Sequence, residues 1–466
     1  MKIYSIILHV VVFILSTFII KAQEIETVID LPDQASARDL IYNPISNKIY
    51  TANIPDNGMP EQRSVSIIDG NTNLILTTIQ VPEGPRDFCH NTLNNRIYVA
   101  NYFADSITVI DGVTDQIITT LPAGDGPRAL CYNSQDNRIY CANEFSADVT
   151  IIDGATNMVM TTVTVGTTPR VICYNSVSNK IYVPNAGSQN LSVISGSSNM
   201  VITTVPMGNI PRGIVYNPQS NRVYVSNYGS DNVIVIDGAS DQIVTTIAVG
   251  DGPTALFHNP FGNKIYCSNV GAPGPNTPEE CTISVIDATS NTVIKSITAG
   301  DEPTAFCYST ANNKVYWVDE WSHRVAVADA ASDSIISLIS LGSSLVQPVD
   351  ICYNPVNERV YTANRLTYDI TVIKDSLPIT TGLFKFNYES AVSIHIYPNP
   401  TADYCIIKAD QRAMGKRYRL VGVAGQTILA GILWTGTQYL DLSAVPSGTY
   451  YLTIDGESRS PAVIKQ

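Results

Sequence analysis

The sequence predicts an all-β chain: a closed ring of small four-stranded sheets, followed by a small C-terminal β-sandwich. Three observations predict it. First, a phrase close to Arg-Ile-Tyr-Val-Ala-Asn recurs eight times, with its aromatic at Tyr50, Tyr98, Tyr140, Tyr182, Tyr224, Tyr266, Tyr316 and Tyr361. The five from Tyr98 to Tyr266 are each 42 residues apart, and a fixed period of this length marks a repeat architecture. Second, every repeat holds short runs rich in Val, Ile, Thr and Tyr, split by Asn, Asp, Gly and Pro, which is strand-and-turn chemistry. Third, the last repeat lacks its final run, and an orphan run stands at the head of the chain.

Residues 126–167 show the unit. Gly126-Pro127-Arg128 opens an apolar run, residues 129–132, and the polar stretch 133–137 turns the chain. Residues 138–142 form a second run, 149–152 a third, closed by Asp153-Gly154, and 158–165 a fourth, ended by Gly166 and Pro169. None has the length or the 3.6-residue period of a helix. The runs are apolar on both faces, as suits a sheet packed between two like sheets in a propeller. The first three runs occur eight times, and the fourth follows repeats one to seven. The orphan run at 26–31 completes the eighth repeat, closing the ring and removing its exposed edges. The prediction is an eight-bladed β-propeller; a seven-bladed ring with one degenerate repeat is the alternative.

Residues 95–101 (NRIYVAN), then 107–112 (ITVIDG), Thr119-Thr120 and Gly126-Pro127, resemble the YVTN family of β-propeller repeats. The resemblance spans residues 24 to about 375 and implies the fold. It does not imply an activity, since the family includes surface-layer and other extracellular proteins, and a fold does not set a function.

Both ends of the chain speak of export. Residues 3–20 are almost wholly apolar, preceded by Lys2 and followed by Lys21-Ala22-Gln23. This predicts a secretory signal over 1–22, cleaved after Ala22; an uncleaved anchor is the alternative. After cleavage no transmembrane segment is expected. The propeller is expected over 24–374 and a linker over 375–391, with Pro378 and Gly382. Residues 392–466 hold Tyr397-Pro-Asn-Pro, the pattern D-L-S-x-x-P-x-G-x-Y-x-L from Asp441 to Leu452, and a terminal Lys465-Gln466. These resemble the C-terminal sorting domain of the type IX secretion system of Bacteroidetes. One departure is Gly422, where that family usually has Asp three residues before the glycine, here Gly425. The resemblance implies a small β-sandwich that engages the secretion machinery, and a secreted or outer-surface protein.

Charged residues make up 15% of the chain, well below the roughly 25% of ordinary globular proteins. The net charge is −13, which argues against a sequence-independent grip on nucleic acid. Of nine cysteines, Cys89, Cys131, Cys173, Cys307 and Cys352 share one repeat position, and Cys141 and Cys267 share another. There they exchange with Val and Thr, as small core side chains do, so free buried thiols are expected. Cys281 and Cys405 are undecided. No Cys-x-x-Cys spacing signals zinc or covalent haem, and no cofactor or metal is expected.

Catalytic motifs are missing: no Gly-x-Ser-x-Gly elbow, phosphate loop or His-Glu-x-x-His occurs. His90 and His258 replace a repeated Tyr and face each other across an eight-fold ring; they read as channel imidazoles rather than metal ligands. The repeated Asp69, Asp111, Asp153, Asp237, Asp287 and Asp329 precede a turn whose amides a carboxylate accepts. The Asn that ends each second run reads as structural too.

One pattern is uneven. Directly after the fourth-run loop, repeats one to five carry Arg38, Arg86, Arg128, Arg170 and Arg212, whereas repeats six to eight carry Thr254, Thr304 and Val349. In an antiparallel blade this loop and the one leaving the second strand share an end, and the first strand is innermost. The arginines therefore form an arc at one channel mouth. The insertions at 54–64 and 270–282 rise from the same face, as do Tyr102, Phe103, Phe145, Tyr228 and Trp321. Guanidinium forks suit carboxylate or sulfate, and aromatics suit sugar or peptide surfaces. The candidate ligand site is Arg38, Arg86, Arg128, Arg170, Arg212, Tyr102 and Tyr228, for an anionic glycan or a surface protein. The competing reading pairs each Arg with a local acid, such as Asp39, Asp87, Asp125 or Asp251, to fix a loop. The leading function is a non-catalytic binding module. The alternative is an extracellular propeller enzyme, lactonase- or lyase-like or quinone-dependent, with its site at the same mouth.

Overall fold

Each repeat folds into one antiparallel four-stranded sheet in the computed structural model. The structure describes residues 23–54, 63–271, 281–342 and 345–376, and of the C-terminal part 394–397, 404–409, 416–422, 427–432, 437–442, 445–446, 448–454 and 462–465. The expected signal (1–22) and most of the expected linker lie outside the described residues. In the second sheet the strands Pro85–Asn91, Arg96–Asn101, Ser106–Asp111 and Ile117–Pro122 are hydrogen-bonded in that order. Eight such sheets follow one another. Their first strands pack side by side, and that of the eighth, Pro348–Asn354, packs on that of the first, Ser36–Asn43.

The N-terminal strand Gln23–Asp30 completes the eighth sheet, pairing antiparallel with Asp369–Asp375. It begins three residues before the expected run. Asp375, placed at the head of the linker by the sequence, is the last residue of its strand and wholly buried. The strand thus runs one residue past the expected end of the propeller.

Second and third strands are buried on both faces because neighbouring sheets cover them. One cluster joins Cys89, Tyr98, Ile107 and Val109 of the second sheet to Leu130, Ile139, Cys141 and Ile152 of the third. At the closing seam Ile29, Tyr361, Ile370 and Val372 meet Ala37, Leu40, Ile49 and Ile68. Each such buried aliphatic side chain contributes about 1.5–3 kcal/mol. The eight cysteines of the ring are free, buried or half-buried thiols, Cys281 among them.

The phrase that repeats in the sequence is what bolts sheet to sheet. Every one of its tyrosines is fully buried. Each hydroxyl donates, at 2.5–3.1 Å, to an Asp or Asn of the next sheet, in its outer hairpin or, for Tyr316 and Asp375, at the end of its third strand: Tyr50 to Asp115, Tyr98 to Asn157, and so on round to Tyr361 and Asn73. In six of the eight repeats the basic residue two positions earlier reaches the same partner, and its type is matched. Lys48, Lys180, Lys264 and Lys314 meet Asp115, Asp241, Asp333 and Asp375. Arg96 and Arg138 meet Asn157 and Asn199. A buried Lys needs a full counter-charge, whereas a guanidinium here spreads its donors over an amide and turn carbonyls.

Asparagines bind the same end of the ring. At six of the eight seams the Asn ending a first strand donates at 2.7–2.9 Å to the Asn in the next sheet's hairpin, as Asn43 does to Asn95. The receiving residue has φ near 50° in Asn95 and Asn137, a conformation Asn tolerates better than most. The repeated Asp69, Asp111 and Asp153 accept two turn amides each at 2.8–2.9 Å. Those amides hold the Asp111 and Asp153 carboxyls below their ordinary range.

The C-terminal unit, Thr380–Gln466, is a separate body. Its sheets are Ile394–Tyr397, Tyr404–Ala409, Thr437–Asp441 and, in spatial order, Thr427–Ile432, Arg417–Gly422, Gly448–Ile454, Ala462–Lys465. Ile407 and Leu440 of one share a core with Tyr418, Leu420, Tyr450 and Leu452 of the other. The Pro and Tyr of the D-L-S-x-x-P-x-G-x-Y pattern meet: Tyr450 Oη donates to the Pro446 carbonyl at 2.7 Å.

Candidate functional site at the channel mouth

At the end opposite the tyrosine bolts, the loop entering each first strand is hydrogen-bonded to the loop leaving the second. Tyr102 N donates to Gly84 O at 2.7 Å, Glu144 N to Gly126 O at 2.8 Å, Tyr228 N to Ile210 O at 2.9 Å and Glu320 N to Glu302 O at 3.1 Å. The main chain thus builds one rim, and the side chains on it are left to differ. Residues 55–62 and 272–280 of the two insertions lie outside the described residues.

The five arginines do three different things. Arg128 Nη1 and Arg170 Nε both bind Glu144, at 2.6 and 2.7 Å on separate carboxylate oxygens. Tyr102 Oη also donates to Glu144, at 2.7 Å. Burial pushes the Glu144 carboxyl up, but the Tyr102 bond and the two guanidiniums outweigh it and hold the group below its usual range. Arg86 and Arg212 stack on aromatic faces instead, 4.9 Å from the Tyr102 ring centre and 5.0 Å from that of Tyr228. Among the described residues neither forms an ion pair. Arg38 lies near Glu320 and lowers its proton affinity. Four of the arginines sit on first strands; Arg170 precedes the short strand Cys173–Asn175.

Two of the arginines do pair with an acid, Glu144, which is not among those named from the sequence. Among the described residues Asp87, Asp125 and Asp251 form no ion pair with Arg86, Arg128, Arg170 or Arg212. Asp39, Asp87 and Asp350 lie close enough to one another to interact. Asp350 accepts Leu40 N at 2.7 Å and Asp87 accepts Leu130 N at 2.6 Å, so each clasps the next sheet's innermost strand. Asp39 shares a hydrogen bond with Asp350. Burial, then the neighbouring carboxylates, pushes Asp39 well up, while burial lifts Asp87 to about 7 and Asp350 to about 6. Asp39 and Asp350 thus form a crowded carboxyl pair that resists double ionisation.

Aromatic side chains form a shelf beside the cations. Tyr102 packs against Phe103 edge-on at 5.0 Å and against Phe145 at 5.5 Å. Both phenylalanines are 62% exposed. Gly84 and Gly126, at φ +77° and +69°, lie directly beneath them; an added Cβ would come within 2.7 Å of either ring. Glycine here lets two exposed aromatics lie flat and fixed.

On the far side of the mouth, where Arg gives way to Thr254 and Thr304, a cavity of ≈ 370 Å³ opens. Arg212 and Glu302 stand on its walls, with Ile214, Leu256 and Val270. Next to it, burial and then the charge of Glu302 lift Glu320 to about 7, against the pull of Arg365 and Arg38. Glu144, Glu302, Glu320 and Arg365 were missed from sequence. The signal existed: the residue after the repeated second-strand Asn or Asp reads Ile54, Tyr102, Glu144, Ala186, Tyr228, Val270, Glu320 and Arg365, as uneven as the arginine position.

His90 sits in the first-strand hairpin region at the opposite end, with Nε2 3.0 Å from Asn95 Oδ1. Tyr132 makes the same bond to Asn137 at 3.2 Å. Burial lowers the proton affinity of His90 and His258. Among the described residues no group of three or more His, Cys, Asp or Glu could hold a metal.

Residues 61–353 match the family model of YNCE-like beta-propellers, and residues 395–465 that of a secretion system C-terminal sorting domain. No curated protein matches the chain. A solved chain from Kuenenia stuttgartiensis, described as Hydrazine Synthase, is similar over 64% of this chain and 99% of its own, with 17% identity and a TM-score of 0.50; at that identity it shows the fold alone. The sorting domain indicates export through the type IX system, to the cell surface or to the medium. Among the described residues no helix is long and apolar enough to cross a membrane.

Proposed function

The chain belongs to the YNCE-like β-propeller family, and from that premise we propose that it serves outside the cell as a non-catalytic binding module whose channel mouth takes an anionic group. The ligand is an acidic glycan, or an acidic patch on a surface protein, with its carboxylate or sulfate on Arg86 and Arg212 and its flat faces on Phe103 and Phe145. Residues 1–22 are the signal that starts export, the ring ends after Asp375, and residues 392–466 engage the secretion machinery.

One observation carries this reading: Arg86 and Arg212 are stacked on tyrosines without an ion pair among the described residues. Stacking orients a guanidinium and leaves its edge donors aimed outward. Arg128 and Arg170 are spent on Glu144 and supply field rather than contacts. A second reading, catalysis at the same mouth, is favoured by Glu320, whose carboxyl titrates near neutrality as a general acid or base would.

Titration calorimetry with acidic oligosaccharides tests both. Binding that falls at least tenfold in the Arg86→Ala, Arg212→Ala double variant, at unchanged thermal midpoint, supports the module. Unchanged binding removes it. Breakdown of the bound glycan by the native protein, lost in Glu320→Gln, would establish the enzyme instead.

A further inference from the structure

We infer that the cavity between the fifth and seventh sheets is a receptor for a dipeptide-sized zwitterion with aliphatic side chains. The cavity exists because the arginine position of the arc becomes Thr254 and then Thr304, and two small side chains leave the volume that guanidiniums fill elsewhere. At ≈ 370 Å³ it falls in the lower range of small-molecule sites.

Its walls carry opposite charges that are held apart. Arg212 is seated on the Tyr228 ring at 5.0 Å. Glu302 is held by the Trp321 indole, whose Nε1 donates to its Oε2 at 2.5 Å. The two feel each other's charge, yet among the described residues neither forms an ion pair. A ligand that satisfies both must bring an anion to Arg212 and a cation to Glu302, with apolar substance between for Ile214 and Leu256. A free amino acid carries both charges on one carbon and leaves no apolar substance between them. Two extended residues reach up to ~7 Å, and each terminus makes a charge-assisted hydrogen bond.

The inference rests on the mouth being a binding surface but uses residues other than Arg86, Phe103 and Phe145. Titrating the full-length protein with Leu-Leu, N-acetyl-Leu-Leu and Leu-Leu amide tests it. Leu-Leu is expected to bind, with each capped analogue at least tenfold weaker. In Arg212→Ala the amide should bind as well as Leu-Leu, and in Glu302→Gln the acetylated form should. Absent saturation by Leu-Leu, or equal binding of all three probes, overturns the inference. Arg86→Ala must leave Leu-Leu binding unchanged while weakening acidic glycan. A protein that binds glycan but not Leu-Leu loses only this inference. One that binds Leu-Leu through Glu302, but no glycan, keeps it and loses the glycan reading.

Discussion

The two ends of the ring are built from the same repeats and behave as opposites. At the hairpin end every sheet performs one operation: a buried tyrosine reaches an Asp or Asn of the next sheet, joined in six of eight cases by a basic residue, and asparagines add a second bond at most seams. At the mouth the backbone bonds are just as regular, but the side chains are Tyr102, Glu144, Ala186, Tyr228, Val270, Glu320 and Arg365 in turn. Side chains carry the inter-sheet bonds at one end and so cannot vary. At the mouth main-chain bonds within each sheet hold the loops, and most side chains there are left to differ.

Breaking a bolt should therefore cost stability. The largest effect is expected for Asp375→Ala, which strands Lys314, 2% exposed beside a fully buried partner, at the seam between the seventh and eighth sheets. Removing one member of a buried ion pair costs about 3–5 kcal/mol, read in chemical denaturation. Glu144→Ala tests the exception, a mouth residue that builds. It leaves Arg128, Arg170 and Tyr102 without their acceptor, costs about 1–3 kcal/mol, and should strengthen binding of an acidic glycan by removing a competing anion. Tyr98→Phe removes one hydroxyl from Asn157, which keeps Arg96, and should cost about 1 kcal/mol. Arg86→Ala at the rim should stay within about 0.5 kcal/mol of native stability while weakening the glycan.

A pH series sharpens the comparison further. Asp87 and Asp350 are lifted in the folded state from 3.8 to about 7 and about 6, so folding holds their protons more tightly than the unfolded chain does. Their contribution is full below about pH 4 and is lost as pH climbs through 6 to 7. The turn carboxylates Asp111 and Asp153 are shifted downward, and theirs is lost only as pH falls below the ordinary range. Denaturation midpoints should drop from pH 5 to pH 8, and Asp350→Asn with Asp87→Asn should flatten that slope.

The ring was legible because its determinants are periodic. Eight tyrosines and an orphan N-terminal strand set both the sheets and their closure. The job of those tyrosines was not legible, since Tyr98 meets Asn157 across 59 residues, in the next repeat. A trace of it is there in hindsight: Lys faces Asp and Arg faces Asn across each seam. The arginine position was legible as uneven, and the structure brings its members to one mouth. Their partners were sought among neighbours in sequence, whereas Glu144 lies 16 residues from Arg128 and 26 from Arg170, across a strand pair and a sheet boundary. Asp39 and Asp87 misled for the same reason. Next to Arg in the chain, they accept backbone amides of the next sheet instead.

The claim that repeated residues build and unrepeated ones bind is tested most directly by one crossed measurement: thermal midpoint and acidic-glycan affinity for Tyr98→Phe, Tyr182→Phe beside Arg86→Ala, Arg212→Ala. The account predicts that the tyrosine pair lowers the midpoint and leaves affinity intact, while the arginine pair lowers affinity at least tenfold and leaves the midpoint intact. An arginine pair that destabilises the ring and binds the glycan as before would contradict it.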